Sequence, residues 1–89
     1  INPADETVIG TVRHTTLEEV DAAVERAVVA QRGWAALAPV DRARALRRFA
    51  AVVDAHIDEL AELEVRNSGH PIGAARWEAG NVRDVLDYY

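Results

Sequence analysis

Three histidines, fifteen carboxylates and ten arginines supply nearly all the proton-transfer and ion-binding chemistry of this 89-residue chain. Cys and Lys are absent. That removes a thiolate nucleophile, a disulfide, a Cys-based zinc site, a P-loop lysine and a Schiff base. His14, His56 and His70 never repeat at metal-ligand spacing, and no Asp or Glu beside them forms a recognisable ligand set. His56 lies among Asp54, Asp58 and Glu59 and is expected at the surface; His14 and His70 flank helix starts. The carboxylate pairs Glu18-Glu19 and Asp58-Glu59 are adjacent in sequence. Adjacent helical positions do not face each other, so these pairs are solvated surface and not an acid/base dyad. The glycines form neither G-x-G-x-x-G nor a phosphate loop. No residue is assigned a catalytic, cofactor-binding or metal-binding role.

The arginines are not evenly spread. Arg42, Arg44, Arg47 and Arg48 crowd the start of one helical stretch, while Asp54, Asp58, Glu59, Glu62 and Glu64 fill its later turns. This order opposes the helix dipole. It has two readings: an anion or docking surface, with Arg26 and Arg32 near the same corner, or a solvated helix with short-range ion pairs.

Composition excludes several functions. The net charge is -5, so phosphate neutralisation gives no route to nucleic acid. No apolar run is long enough to cross a membrane, and the N-terminus lacks the basic-then-apolar order of a secretory signal. The default location is cytoplasmic. Apolar residues make up 49% of the chain, but 17 of them are Ala and five are aromatic, so a self-contained core is thin. Met is also absent, and the chain begins Ile1-Asn2-Pro3, which fits a piece of something longer.

These residues must be carried by helices. Residues 1–15 form an extended arm or the remnant of a β-hairpin. In it Thr7-Val8-Ile9-Gly10-Thr11-Val12 has the β-branched make-up of a strand, though no partner strand is at hand. Residues 16–89 form a three-helix segment. Thr16 and Glu19 make a capping box opening a helix over 16–36, with Val20, Ala23, Val24, Ala27 and Val28 on one face. Trp34 follows this stripe as a core residue. Pro39 opens the second helix, 39–66, behind Ala38, a poor N-cap. Its face is Ala43, Leu46, Phe49, Ala50, Val53, Ile57 and Leu60, and Gly69 stops it. A third helix spans 71–88. Short connections predict antiparallel neighbours.

The third helix is apolar on two sides. Ile72, Ala75, Ala79, Val82 and Leu86 form one stripe; Trp77, Val85 and Tyr88 form part of a second. A three-helix bundle has one interior, so the second stripe needs more protein to cover it. Trp77 and Tyr88 are therefore expected to be exposed in the chain alone, or covered by another copy.

The order of these features resembles the N-terminal segment of the aldehyde dehydrogenase superfamily. Asn2-Pro3-Ala4 followed by Val8-Ile9 and Val12 is similar to that family's opening "N-P-A-T-G-E-x-I-x-x-V". Glu19 to Val24 resembles its first helix, and Trp34, Arg42 and Leu46 its "W … R … L" pattern. Glu59-Leu60-Ala61-Glu62-Leu63-Glu64 leading to Asn67-Ser68-Gly69-His70-Pro71 resembles "E-L-x-x-L-E-T-x-D-T-G-K-P", and Tyr88-Tyr89 resembles a closing "Y-Y-A". The departures are the family's turn Gly, replaced near Asp5-Glu6, and Asn67, Ser68 and His70, which stand where Asp, Thr or Asn, and Lys are usual.

The resemblance implies a parent that oxidises an aldehyde to a carboxylic acid with NAD or NADP. A Cys thiolate adds to the aldehyde, a backbone N–H and an Asn amide hold the oxyanion, hydride passes to the nicotinamide, and a Glu-activated water hydrolyses the thioester. In the family those groups, and the Rossmann-like α/β cofactor sheet, lie beyond this segment. Residues 16–89 are then a three-helix segment of the α/β Rossmann-like cofactor-binding domain, packed around its sheet as scaffold and binding no cofactor; its partners are the remainder of its own chain, and the parent is a dimer or tetramer. A reading from another class is a free-standing helical interaction module whose two-faced third helix binds a partner. The coding frame past Tyr89 separates them: the first expects a cofactor-binding stretch and a Cys, the second a stop codon.

Overall fold

Helix-start and helix-stop residues account for most of the architecture. A computed structural model describes residues 1–89 as four helices: α1 (Leu17–Ala36), α2 (Pro39–Ala55), α3 (Ile57–Ser68) and α4 (Ile72–Tyr88). At the head of α1 the Thr16 hydroxyl accepts the Glu19 N–H at 3.2 Å, and the Glu19 carboxylate accepts the Thr16 N–H at 2.9 Å. Arg13 grips the same carboxylate through both terminal guanidinium nitrogens, at 2.8 and 3.1 Å. Pro39 is the first residue of α2, and Ala38 offers no side-chain cap. Gly69 ends α3 in the left-handed region at φ 77°, and its N–H bonds the Val65 carbonyl at 2.9 Å.

α4 runs back antiparallel along α3 and then α2, as the three-residue connection Gly69–Pro71 requires. Ion pairs mark the register: Arg76 to Asp58 at 2.8 Å, Arg83 to Asp54 at 2.7 Å and Arg47 to Asp87 at 3.9 Å. Between the helices only Ala50, Val53, Ala61 and Ala75 are buried. Three of the four are alanines, which let the backbones approach closely but remove little apolar area from water.

Four expectations are corrected. Residues 7–12 form no strand, because no second strand is present to take up the ladder. The arm instead closes on itself: the Asn2 N–H donates to the Thr7 carbonyl and the Glu6 N–H to the Asn2 carbonyl, both at 2.8 Å, and the Asp5 carboxylate accepts the Thr7 hydroxyl at 2.7 Å. The Thr7 hydroxyl, then the Thr7 N–H, holds the Asp5 carboxyl below its usual pKa. The expected helix 39–66 is two helices, broken at His56. There the amide bonds Val53 instead of Val52, and the imidazole takes the orphaned Val52 carbonyl at 2.8 Å. The count is thus four helices, not three. The third correction is α1, which has no substantial packing against any other helix and buries no residue. Leu37 and Ala38 are both extended, which carries α2 away from α1 instead of folding it back. Trp34, expected in a core, is accordingly 42% exposed.

The result is flat and open. The Cα extents are 48 × 34 × 14 Å. A helix's Cα cylinder is ~4.6 Å across and packed helices stand about 8–10 Å apart, so the thin direction holds no more than two packed helices. The radius of gyration is 17.0 Å, against about 12 Å for a compact domain of this length. Trp77 and Tyr88 are 70% and 82% exposed, as the two-faced third helix predicts.

Two backbone positions give a direct test. Glu6 adopts φ 60° at the place where the resembled family carries its turn Gly. A Cβ on Gly69 would lie 3.1 Å from Pro3 Cγ, in addition to its positive φ. Glu6→Gly should stabilise the arm, and Gly69→Ala should cost about 1–2 kcal/mol, since left-handed backbone is unfavourable for residues with a Cβ. Denaturant melts of both variants check the opposite signs.

The capping box supplies a pH test. The Arg13 guanidinium, then the Thr16 N–H, depresses the Glu19 pKa below its ordinary 4.5. A depressed carboxyl stabilises the fold above its unfolded value and loses that contribution as pH falls through the folded one. The Thr16 and Glu19 amide signals should therefore hold from neutrality to about pH 4.5 and move below it. Glu19→Gln should remove the transition.

Candidate functional site

A groove of about 850 Å³ lies where α4 meets the broken α2–α3 pair. Phe49 and Val52 of α2, Leu60 and Leu63 of α3, and Ala79 and Val82 of α4 line it. Glu64 and Glu78 stand at its end nearest the α3–α4 turn. Phe49, Val52 and Leu63 are each more than half exposed. The floor takes up apolar surface, while His56, Glu59 and Asn67 join Glu64 and Glu78 as its polar lining.

The histidines are widely separated in role. His14 is exposed on the arm, and His56 caps the broken end of α2. His70 is different. It is half-buried in the α3–α4 turn, with its Nε2 3.7 Å from a Glu78 carboxylate oxygen. Glu64, from the last turns of α3, joins them, and one ligand atom from each of the three lies within 4.8 Å of the others. This grouping was invisible as a sequence pattern, because Glu64 and Glu78 are fourteen positions apart. The available signal was symmetry: the two sit at nearly equal distances on either side of the Gly69–Pro71 turn, so antiparallel docking of α3 and α4 brings them together.

The arginine cluster is largely used within the chain. Arg42 donates to the Leu37 carbonyl at 2.6 Å, Arg44 pairs with Asp41 at 2.9 Å and Arg47 reaches toward Asp87. These contacts favour the solvated-helix reading over an anion site. Arg26 and Arg32 are exposed on α1, which diverges from α2. The Arg83 guanidinium is held charged more firmly than usual by Asp54 and then Asp84. No helix is long and apolar enough to cross a membrane.

A nicotinamide dinucleotide does not fit the residues here. Its pyrophosphate needs N–H groups at a strand-to-helix turn, and there is no strand. The head of α1 is occupied by Glu18 and Glu19, both held ionised below their ordinary pKa: the backbone and Thr16 hydrogen-bond Glu18, and Arg13 and Thr16 hydrogen-bond Glu19.

No solved structure matches the chain. The sequence model of the aldehyde dehydrogenase family, by contrast, matches residues 1–89, the same span over which the capping box, the Gly69 stop and the closing tyrosines fall in order. The chain belongs to the aldehyde dehydrogenase family.

Proposed function

We propose that this chain is the N-terminal helical layer of an NAD(P)-dependent aldehyde dehydrogenase that oxidises aldehydes to carboxylic acids, and that its own role is to cover and brace a Rossmann-like cofactor domain. The observation that carries this reading is the family match over the whole chain, residues 1–89. The exposed surface supports it. The chain exposes 7206 Å², while a folded monomer of 9.7 kDa exposes about 5,100 Å². The excess, about 2,100 Å², is larger than the ~800 Å² that one partner loses in an ordinary protein interface.

The chemistry of aldehyde oxidation in this family starts from a thiolate, and this chain has no Cys. Its contribution is therefore positional. The apolar groove, the α1 stripe of Val20, Val24 and Val28, and the Trp77–Val85–Tyr88 face are the surfaces by which it would hold the remainder of its own chain. The assembled enzyme is proposed to be a cytoplasmic homo-oligomer without nucleic-acid or membrane partners.

The test adds NAD or NADP and a panel of aldehydes to residues 1–89 alone and to the full-length protein, and follows absorbance of the reduced cofactor. Turnover is expected from the full-length protein and none from the segment. Turnover by the segment, or none by a folded full-length protein with any aldehyde, contradicts the proposal.

A further inference from the structure

The geometry points to a divalent zinc site at the α3–α4 turn, formed by the Glu64 carboxylate, His70 Nε2 and the Glu78 carboxylate. It would cross-link α3 and α4, whose buried contact is limited to Ala61 and Ala75 and whose one ion pair is Arg76–Asp58. The inference concerns side chains of this chain alone and does not rest on the proposed enzymatic role.

The three groups come from three separate pieces of backbone: the end of α3, the turn and the second turn of α4. Their ligand atoms lie within 4.8 Å of one another, and the His70–Glu78 pair is already at 3.7 Å. Donors around tetrahedral zinc, at bonds of ~2.0–2.1 Å, stand about 3.3–3.4 Å apart. Rotamer adjustment of two glutamates on the groove rim closes the difference, and water fills the fourth position.

The turn holds two of the ligands before any ion arrives. The Ser68 hydroxyl lies 2.9 Å from a Glu64 carboxylate oxygen, and the same hydroxyl oxygen accepts the His70 N–H at 3.2 Å. The bond to the Glu64 carboxylate is an outer hydrogen bond of the kind that orients a ligand and commonly changes metal affinity about 10- to 100-fold, while the bond from the His70 backbone N–H fixes the turn. Gly69 at φ 77° and Pro71 fix the path between them. His70 keeps 32% side-chain exposure, so the site is open to solvent on one side and an ion can enter.

The donor set selects the ion. One imidazole with two carboxylates suits a borderline cation such as Zn²⁺, whereas Ca²⁺ and Mg²⁺ favour oxygen donors alone. Two carboxylates and neutral imidazole also balance a 2+ charge. His70 is the enabling residue. The Lys of the resembled pattern would place an ammonium there, which pairs with glutamates but does not ligate metal at neutral pH.

The experiment is a Zn²⁺ titration of the chelator-stripped 89-residue chain, which has no Cys to compete for the ion, by calorimetry, with His70→Lys, Glu78→Gln and Ser68→Ala in parallel. The expected result is one zinc equivalent present in the wild type and lost in both ligand variants, with Ser68→Ala binding at least tenfold more weakly. His70→Lys keeps a cation between the two glutamates and should fold. Its circular dichroism verifies that the loss is one of ligation. Co²⁺ in place of Zn²⁺ should give a low-symmetry visible band in the wild type that His70→Lys lacks. Equal binding by wild type and His70→Lys, or no zinc equivalent in the wild type, overturns the inference and leaves an ordinary His–Glu ion pair.

Discussion

A flat helical array with almost no interior cannot hide its apolar faces, and this constraint governs the molecule. Packing one apolar face against another is the dominant gain in folding. Here the thin direction spans 14 Å in Cα positions, and only Ala50, Val53, Ala61 and Ala75 are buried. Every other feature follows from this. α1 is an amphipathic helix with its stripe exposed, the groove beside α4 is lined by large residues left in water, and Trp77 and Tyr88 face outward. Tyr88 and Tyr89 find only each other, edge to face with ring centroids 5.0 Å apart.

What holds the array together is correspondingly local. The capping box and its Arg13 clamp define the start of α1, Gly69 and Pro71 set the α3–α4 reversal, and Arg76, Arg83 and Arg47 pair in order along α4. Exposed pairs of this kind contribute only a few tenths of a kcal/mol to about 1 kcal/mol each. They choose the register between helices more than they provide stability. Stability on the scale of a folded domain has to come from apolar area, and most of that area in this chain is still in water.

The sequence was a good guide wherever the determinant is local. Thr16 with Glu19, Pro39 and Gly69 each marked a helix end that the structure places within a residue or two. The second stripe on α4 correctly signalled exposure of Trp77 and Tyr88. It was a poor guide wherever the outcome depends on distant chain. Thr7 to Val12 have strand propensity, but a strand is defined by its partner. Trp34 has the pattern of a core residue, but no opposing surface reaches it. The break at His56 carries neither Pro nor Gly; it is stabilised by an imidazole–carbonyl bond that no spacing rule predicts. The Glu64–His70–Glu78 grouping depends on docking of α3 against α4 and emerges only once that docking is known.

The family assignment and the flat, open architecture support each other. A segment that matches the aldehyde dehydrogenase family over residues 1–89 exposes large apolar faces and contains no Cys. The central claim is that these faces are completed by the remainder of an enzyme. Amide hydrogen exchange over α1 is the decisive measurement, because helices in proteins draw most of their stability from packing of the apolar face, and the face of α1 is exposed. Amides across residues 17–36 should be near-unprotected in the isolated chain and at least a hundredfold better protected in the full-length protein. Equal protection of α1 in the two would contradict it.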